Sequence, residues 1–295
     1  MPVRSVNSAM AILVAGNFLA ILSDVVIKWQ AGDVALFQFV LVRLLFTLVL
    51  LLPFLALVDR SQLFRGSRIH LVRAHVGLFG IICMVIALAS LPLATANALF
   101  YAAPVLVMVL GMGFFGEPAR LRTMVPVVAG FVGILVIVRP DELGWASLSA
   151  LGLALALAVN ALLVRKLPTG QSTVHTLLLT HVFMLPVALI LAIREGAGFD
   201  SGLLLPAAGS AVFILGYNVS VIVAYRRVEA GQVTSAEYTG LIWAIVLGWL
   251  WFSEIPDPWF YVGSALIVVP MLVQAAFGSR RQPGLVDGGF PAGKG

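Results

Sequence analysis

The sequence predicts an all-α membrane protein of ten transmembrane helices, arranged as two inverted five-helix repeats, and three observations carry that expectation. First, 61% of the 295 residues are hydrophobic and only 11% charged, whereas soluble domains run at roughly half apolar and about a quarter charged. Second, the apolar residues arrive in runs of about twenty, the length of helix that crosses a bilayer core, and the mean hydropathy is +1.07. Third, the basic residues gather in alternate loops and the second half of the chain echoes the first. Ten spans use roughly two thirds of the chain, which leaves no room for a soluble domain of ordinary size. The net charge of +5 therefore speaks about orientation in a lipid bilayer, and no nucleic-acid partner is expected. Cys83 is the single cysteine, so neither an internal disulfide nor a Cys-based zinc site can form.

Taken in order, the spans of the first half lie near 9–29, 34–57, 71–91, 93–115 and 123–138. Those of the second half lie near 147–164, 174–193, 203–225, 231–252 and 259–277. The first is too long for a signal peptide, carries Asp24 and Lys28, and has no clear small-residue cleavage site, so it reads as a mature helix. With the N-terminus cytoplasmic, the inside segments hold Arg4, Arg60, Arg65, Arg68, Arg73, Arg120, Arg122, Arg165, Lys166, Arg226, Arg227, Arg280, Arg281 and Lys294. Only Lys28, Arg139 and Arg194 fall outside, and Arg43 lies within a span. This asymmetry places both termini in the cytoplasm. Residues 279–295, rich in Gly and Pro, read as a disordered cytoplasmic tail.

The repeat is visible when Ala87–Glu117 is laid on Ala224–Glu254 without a gap. Ala87/Ala224, Tyr101/Tyr238, Val109/Val246, Leu110/Leu247, Gly111/Gly248, Phe115/Phe252 and Glu117/Glu254 then coincide. Asn17 pairs with Asn160 and Arg43 with His181 at slightly different offsets. The expected division is 1–140 for the first repeat and 141–278 for the second. Since each half has five spans, an odd number, the halves cross the membrane in opposite senses. Inverted repeats are a recurrent construction of secondary transporters, whose substrate sites lie near the midplane between the halves.

These residues carry a family resemblance. A small-residue helix start (Leu91 to Ala98), Pro104, a bulky apolar run and Gly116-Glu117 precede a span bearing Gly130 and Gly133, then Arg139-Pro140. The second half repeats the order in Tyr238, Gly248, Ser253-Glu254, Gly263 and Ile267. The pattern resembles the EamA-type drug/metabolite transporter superfamily, with the YddG-like aromatic amino acid exporters as the nearest subgroup. The resemblance extends to about Phe277 and implies ten helices in two inverted EamA repeats and export of small metabolites such as amino acids. Ser253 stands where the first half has Gly116, and Leu241 where it has Pro104.

Ionisable and polar groups inside spans are the candidate functional residues, because each costs about 2.5–3.5 kcal/mol at mid-bilayer on insertion scales. Asp24 and Lys28 share a helix face with Asn17 and read either as a gate or coupling group or as an internal ion pair. Arg43 lies roughly 15 Å from the outer edge of its span, too deep to snorkel easily. It needs an acid, a cluster of carbonyls or a substrate carboxylate, and His181 sits at the matching depth from the opposite face. Glu237 shares a face with Gly240, Ala244 and Gly248 and reads as an ammonium or proton site, or as an acid bonded to a neighbouring helix. Asn97 and Tyr101 are i and i+4, and Thr234 and Tyr238 repeat them, so two aromatic faces could cradle a planar metabolite with Trp243. Asn160, Asn218 and His75 are further cavity candidates that could instead bond across helices. Pro53, Pro104, Pro126, Pro186 and Pro270 are expected to interrupt helices.

No phosphate-binding loop, HExxH, GxSxG or metal-ligand spacing occurs, and no cofactor is expected. The reading is a secondary transporter, acting as a monomer in a bacterial inner membrane, that exports amino acids or similar small metabolites by alternating access through a central cavity. The alternatives are a proton-coupled multidrug exporter, with Glu237 or Asp24 carrying the proton, and an intramembrane lipid-modifying enzyme, for which no nucleophile or acid/base cluster stands out.

Overall fold

Where they are described, the apolar runs are helical, the form in which a chain satisfies its own backbone groups without water. The computed structural model describes residues 3–30, 35–58, 61, 63–115, 121–139, 144–164, 166–168, 171–227, 236 and 238–279. Its helices are α1 (Val3–Gln30), α2 (Leu36–Leu51), α3 (Ser67–Ser90), α4 (Leu93–Phe100), α5 (Ala103–Phe115) and α6 (Leu121–Val138). The second half supplies α7 (Trp145–Val164), α8 (Thr173–Glu195), α9 (Leu204–Arg227), α10 (Thr239–Phe252) and α11 (Pro258–Ser279). Among the described residues, seven helical stretches are long and apolar enough to cross a membrane, and Met124–Val138, Thr239–Phe252 and Pro258–Val273 are shorter apolar helices. No strand occurs among the described residues.

The packing obeys the repeat. α1 packs on α9 as α3 packs on α7, and α2 packs on α9 as α3 packs on α8. α2 meets α8, α4 meets α10 and α6 meets α11. Exchanging α1, α2, α3, α4 and α6 for α7, α8, α9, α10 and α11 in turn maps this set of pairings onto itself. Small residues let the backbones approach. A Cβ built on Gly133 of α6 would lie 2.6 Å from the Gly263 carbonyl oxygen, and one on Gly263 of α11 would lie 2.6 Å from that of Gly133. The two backbones touch reciprocally, the kind of crossing that drives helix association in lipid.

The proline expectations divide. Pro53 coincides with the change from α2 to a 3-10 turn over Leu52–Leu57, since its ring removes the amide that would continue the α ladder. Pro104 is the second residue of α5, and the break lies just before it at Tyr101 and Ala102, where Tyr101 has φ −67° and ψ −2°. Pro126, Pro186 and Pro270 sit inside continuous helices, where a single lost hydrogen bond is absorbed by the surroundings. The break at Tyr101 has a counterpart that the sequence does not announce. Tyr238 immediately precedes α10 with nearly the same backbone, φ −71° and ψ −8°. The two tyrosine rings meet with centroids 5.5 Å apart.

One end of the bundle is fastened by charge. Both carboxylate oxygens of Glu195, the last residue of α8, accept the Phe37 and Gln38 amides at 3.1 and 3.0 Å, two of the donors that a helix start leaves unsatisfied. Asp257 accepts the Phe260 amide and pairs with Arg139 at 2.6 Å. Trp29, Trp145, Trp251 and Trp259 are exposed at this same end, as residues of a membrane–water interface are. Arg65, Arg68 and Lys166 lie at the opposite end.

Candidate functional site

A cavity of about 250 Å³ lies among α2, α3, α7, α8 and α9, just below the roughly 300–1,000 Å³ of typical small-molecule pockets. Its polar lining consists of Arg43 and Thr47 from α2, Asn160 from α7, His181 from α8 and Asn218 from α9. Gly77 and Gly80 on α3 open the space by leaving out side chains, and the remaining lining is aliphatic or methionine.

Arg43 is 7% exposed. Its Nε is buried without a hydrogen-bond partner, and no ion pair or hydrogen bond from a described residue reaches its guanidinium. Asp24 on α1 acts on it electrostatically without contact. His181 has a defined tautomer when neutral, because Nδ1 lies 2.7 Å from the Leu177 carbonyl oxygen. A carbonyl only accepts, so Nδ1 carries the proton and Nε2 remains an acceptor. The Oδ1 of Asn160 is a buried acceptor with no partner. Thr47 turns its hydroxyl back to the Arg43 carbonyl at 3.0 Å, so it is satisfied within its helix.

The other candidates fall elsewhere. Asn17, Tyr101, Tyr238 and Trp243 gather where the two helix breaks meet. Asn17 donates to the Ala236 carbonyl at 3.0 Å, and the Tyr101 hydroxyl packs on Gly240, where a Cβ would collide with it. Trp243 packs edge-on against Phe18 at 4.9 Å. None of these aromatic rings lines the cavity, whose described nonpolar lining is aliphatic, glycine or methionine. His75 is exposed on α3 and donates to the Leu71 carbonyl of its own helix, away from the cavity. Glu237 and Thr234 lie outside the described residues.

Asp24 and Lys28 do not pair with one another. Asn97 donates to Asp24 Oδ2 at 3.1 Å and to the Leu93 carbonyl at 3.1 Å. Lys28 instead reaches Glu254 at 3.0 Å and the Leu91 carbonyl at 2.7 Å. Glu254 in turn accepts the Leu93 amide at 2.7 Å. α1 thus turns three polar groups, Asn17, Asp24 and Lys28, toward α4, α10 and the residues that flank α10. This ties the two halves of the chain together at the tryptophan end.

Several contributors have no strong signal in sequence. Glu254 is visible only as a repeat terminus, and its partner Lys28 is distant in the chain. Gly77 and Gly80 resemble any small residues in a span, and Met84 and Met184 line the cavity without a distinguishing pattern. No cluster of three or more His, Cys, Asp or Glu side chains that could hold a metal occurs among the described residues.

The sequence profile of the EamA-like transporter family matches residues 7–139 and again 143–273. The chain is 25% identical to an S-adenosylmethionine uptake transporter of Rickettsia prowazekii, over 84% of this chain and 85% of that one. It is 26% identical to a riboflavin transporter of Rhizobium johnstonii over 90% of each. It is 30% identical to the pseudopaline exporter CntI of Pseudomonas aeruginosa, over 70% of this chain and 74% of that one. A solved crystal structure superimposes with a TM-score of 0.59 at 18% identity, covering 93% of this chain and 99% of the other, a likeness of fold alone.

Proposed function

The chain belongs to the EamA-like transporter family, and on that premise we propose that it is a secondary transporter moving amino acids or similar small metabolites by alternating access. The observation that carries this reading is the cavity: two of its helices, α2 and α3, come from the first matched segment and three, α7, α8 and α9, from the second. A cavity at such a seam changes its access when the halves rock against each other. In this reading 1–140 and 141–278 are inverted repeats of five spans each, both termini are cytoplasmic, and the tryptophan end faces out of a bacterial inner membrane. The paired breaks at Tyr101 and Tyr238 supply places to bend, and the Lys28–Glu254 pair closes the outer side. The direction proposed is export, by a monomer. Aromatic amino acids fit less well than aliphatic ones, because the lining holds no aromatic side chain among the described residues.

Purified protein in liposomes loaded with labelled amino acids tests the reading. Counterflow of at least one amino acid above that of protein-free vesicles is the expected result. The transport reading fails when no amino acid, amine or drug-like solute crosses faster than in those vesicles. Proton coupling is a second reading, favoured by Asp24, a carboxyl only 8% exposed and held by Asn97. Flux unchanged by a pH gradient and retained by Asp24→Asn removes it.

A further inference from the structure

We propose that the cavity selects its ligand by a carboxylate docked on Arg43, and that it takes small organic acids with aliphatic or thioether bodies, zwitterionic amino acids among them, while rejecting cations. The inference rests on the cavity being the substrate site of the proposed transporter. Three observations converge on it.

The first is the vacancy of Arg43. A guanidinium offers N–H donors in a planar fork matched to a carboxylate, and here it is buried in a membrane-spanning helix with no side-chain or carbonyl partner among the described residues. Proteins do not ordinarily leave such a group uncompensated, and it borders the cavity. The second is the charge balance of the walls. Among the described residues the lining contains no aspartate or glutamate, so a cationic ligand would meet Arg43 with no counter-charge against it. Asp24 is not among the residues of the cavity wall and makes no ion pair with the arginine, so it leaves the fork free. One guanidinium in an otherwise uncharged lining compensates one negative charge, which favours a carboxylate over a phosphate dianion. The third is the pair of open acceptors. Asn160 Oδ1 has no partner, and His181 Nε2 is free to accept while Nδ1 is held by Leu177. Acceptors suit the N–H groups of an amine or amide on the same ligand. Leu44, Ile81, Leu157, Met84 and Met184 then enclose an aliphatic or thioether remainder.

The test uses the full chain in detergent and three probes of one skeleton: leucine, 4-methylpentanoate, which lacks the amine, and leucinamide, which lacks the carboxylate. Affinities come from ligand-dependent shifts of the thermal unfolding midpoint. Leucine and 4-methylpentanoate are expected to bind, and leucinamide to bind about tenfold to a hundredfold more weakly, the span of a charge-assisted hydrogen-bonded contact. Arg43→Gln should erase that difference, whereas Arg43→Lys, which keeps the charge but loses the fork, should leave an intermediate one. Both variants are compared only when monodisperse with their own unfolding transition, and otherwise the ligand series on the unaltered protein decides alone. Leucinamide binding as well as leucine, no binding of either acid, or discrimination surviving Arg43→Gln overturns the proposal. The liposome assay separates this inference from the transport reading. Flux of a carboxylate-free solute that ignores Arg43→Gln sinks the inference and leaves transport standing, while acid binding without flux does the reverse.

Discussion

Two seams of this molecule are counterparts under the repeat, α1 against α9 and α3 against α7, and they have been filled in opposite ways. In the first, the Ser23 and Ser210 hydroxyls bond at 2.8 Å, and Asn17 on α1 is satisfied beside the seam by the Ala236 carbonyl, just ahead of α10. Gly16 fits so closely against Ser220 that a Cβ there would lie 2.5 Å from the serine Cβ. In the second, Gly80 meets Ala156 and Gly152 meets Cys83 at similar range, but the counterpart asparagine, Asn160, keeps an unpaired oxygen and faces open space. Internal duplication gives two equivalent places for a polar site. This chain has closed one with hydrogen bonds and left the other open, where the proposed ligand would sit, so its backbone is near-symmetric and its chemistry is one-sided.

The sharpest way to break the contrast is to remove the charge that makes the open seam costly. Replacing a buried ion pair by apolar side chains of similar volume is commonly neutral to stabilising by ~1–4 kcal/mol, and a lone buried charge has still less to lose. Arg43→Met is therefore expected to raise stability by about 1–4 kcal/mol in detergent unfolding while transport falls by at least about tenfold. A destabilised Arg43→Met would mean that the arginine is bound within the protein after all and is not held open for a carboxylate.

The two asparagines give the next test. Asn17→Leu removes one of the two side-chain donors to the buried Ala236 carbonyl, the Thr239 hydroxyl remaining at 2.6 Å, and should cost about 0.5–1.5 kcal/mol. Asn160→Leu removes an acceptor that has no partner, so it should be neutral or slightly stabilising, at the expense of flux. Equal losses from the two substitutions, measured by chemical unfolding in micelles, would show that the seams are not different in kind.

Much of this was legible in the chain because hydropathy runs and charge placement depend on composition along one dimension. The spans, and the depth of Arg43, follow from counting residues. Which way a side chain points does not, because these helices are apolar around most of their circumference and their rotational phase leaves no periodic trace. That is why Tyr101, Tyr238 and Trp243 were expected to line the cavity and instead pack at the helix breaks. Lys28 likewise reads as a local partner for Asp24, when its acid is Glu254 in the other half. The break at Tyr101 was foreshadowed by Pro104, but its counterpart at Tyr238 has no proline two or three residues on to reveal it. Only the repeat alignment connects them.

The ion pair that crosses between the halves should matter about as much as the buried asparagine. Lys28 and Glu254 are 12% and 20% exposed, between surface pairs worth about 0–1 kcal/mol and fully buried ones that cost about 3–5 kcal/mol when broken. Lys28→Met should therefore cost about 1–2 kcal/mol, with Glu254 still held by the Leu93 amide. Because the proposed role of the pair is closure of the tryptophan end, a cysteine placed on the cavity wall of this variant should react faster with a membrane-impermeant thiol reagent added outside. Unchanged labelling would leave the pair a structural clamp without a gating role.

The smallest effect bears on how faithfully the two repeats end. Ser253 closes α10 with φ +54°, a left-handed conformation that costs an L-residue about 1–2 kcal/mol and glycine almost nothing. Its amide bonds the Trp249 carbonyl at 3.2 Å, and the next amide, that of Glu254, returns to Gly248 at 3.1 Å, so the turn is what aims Glu254 at Lys28. The first half has Gly116 at the matching position, the residue such a turn prefers. Ser253→Gly relieves the backbone strain but gives up about 0.5–1 kcal/mol of unfolded-chain entropy, leaving a net gain of roughly 0.5 kcal/mol. The thermal midpoint should rise slightly and the Lys28–Glu254 contribution, read from a double-mutant cycle with Lys28→Met, should stay the same. A loss of stability in Ser253→Gly would show that the serine hydroxyl contributes to the cap, and that the second repeat ends its helix by different chemistry from the first.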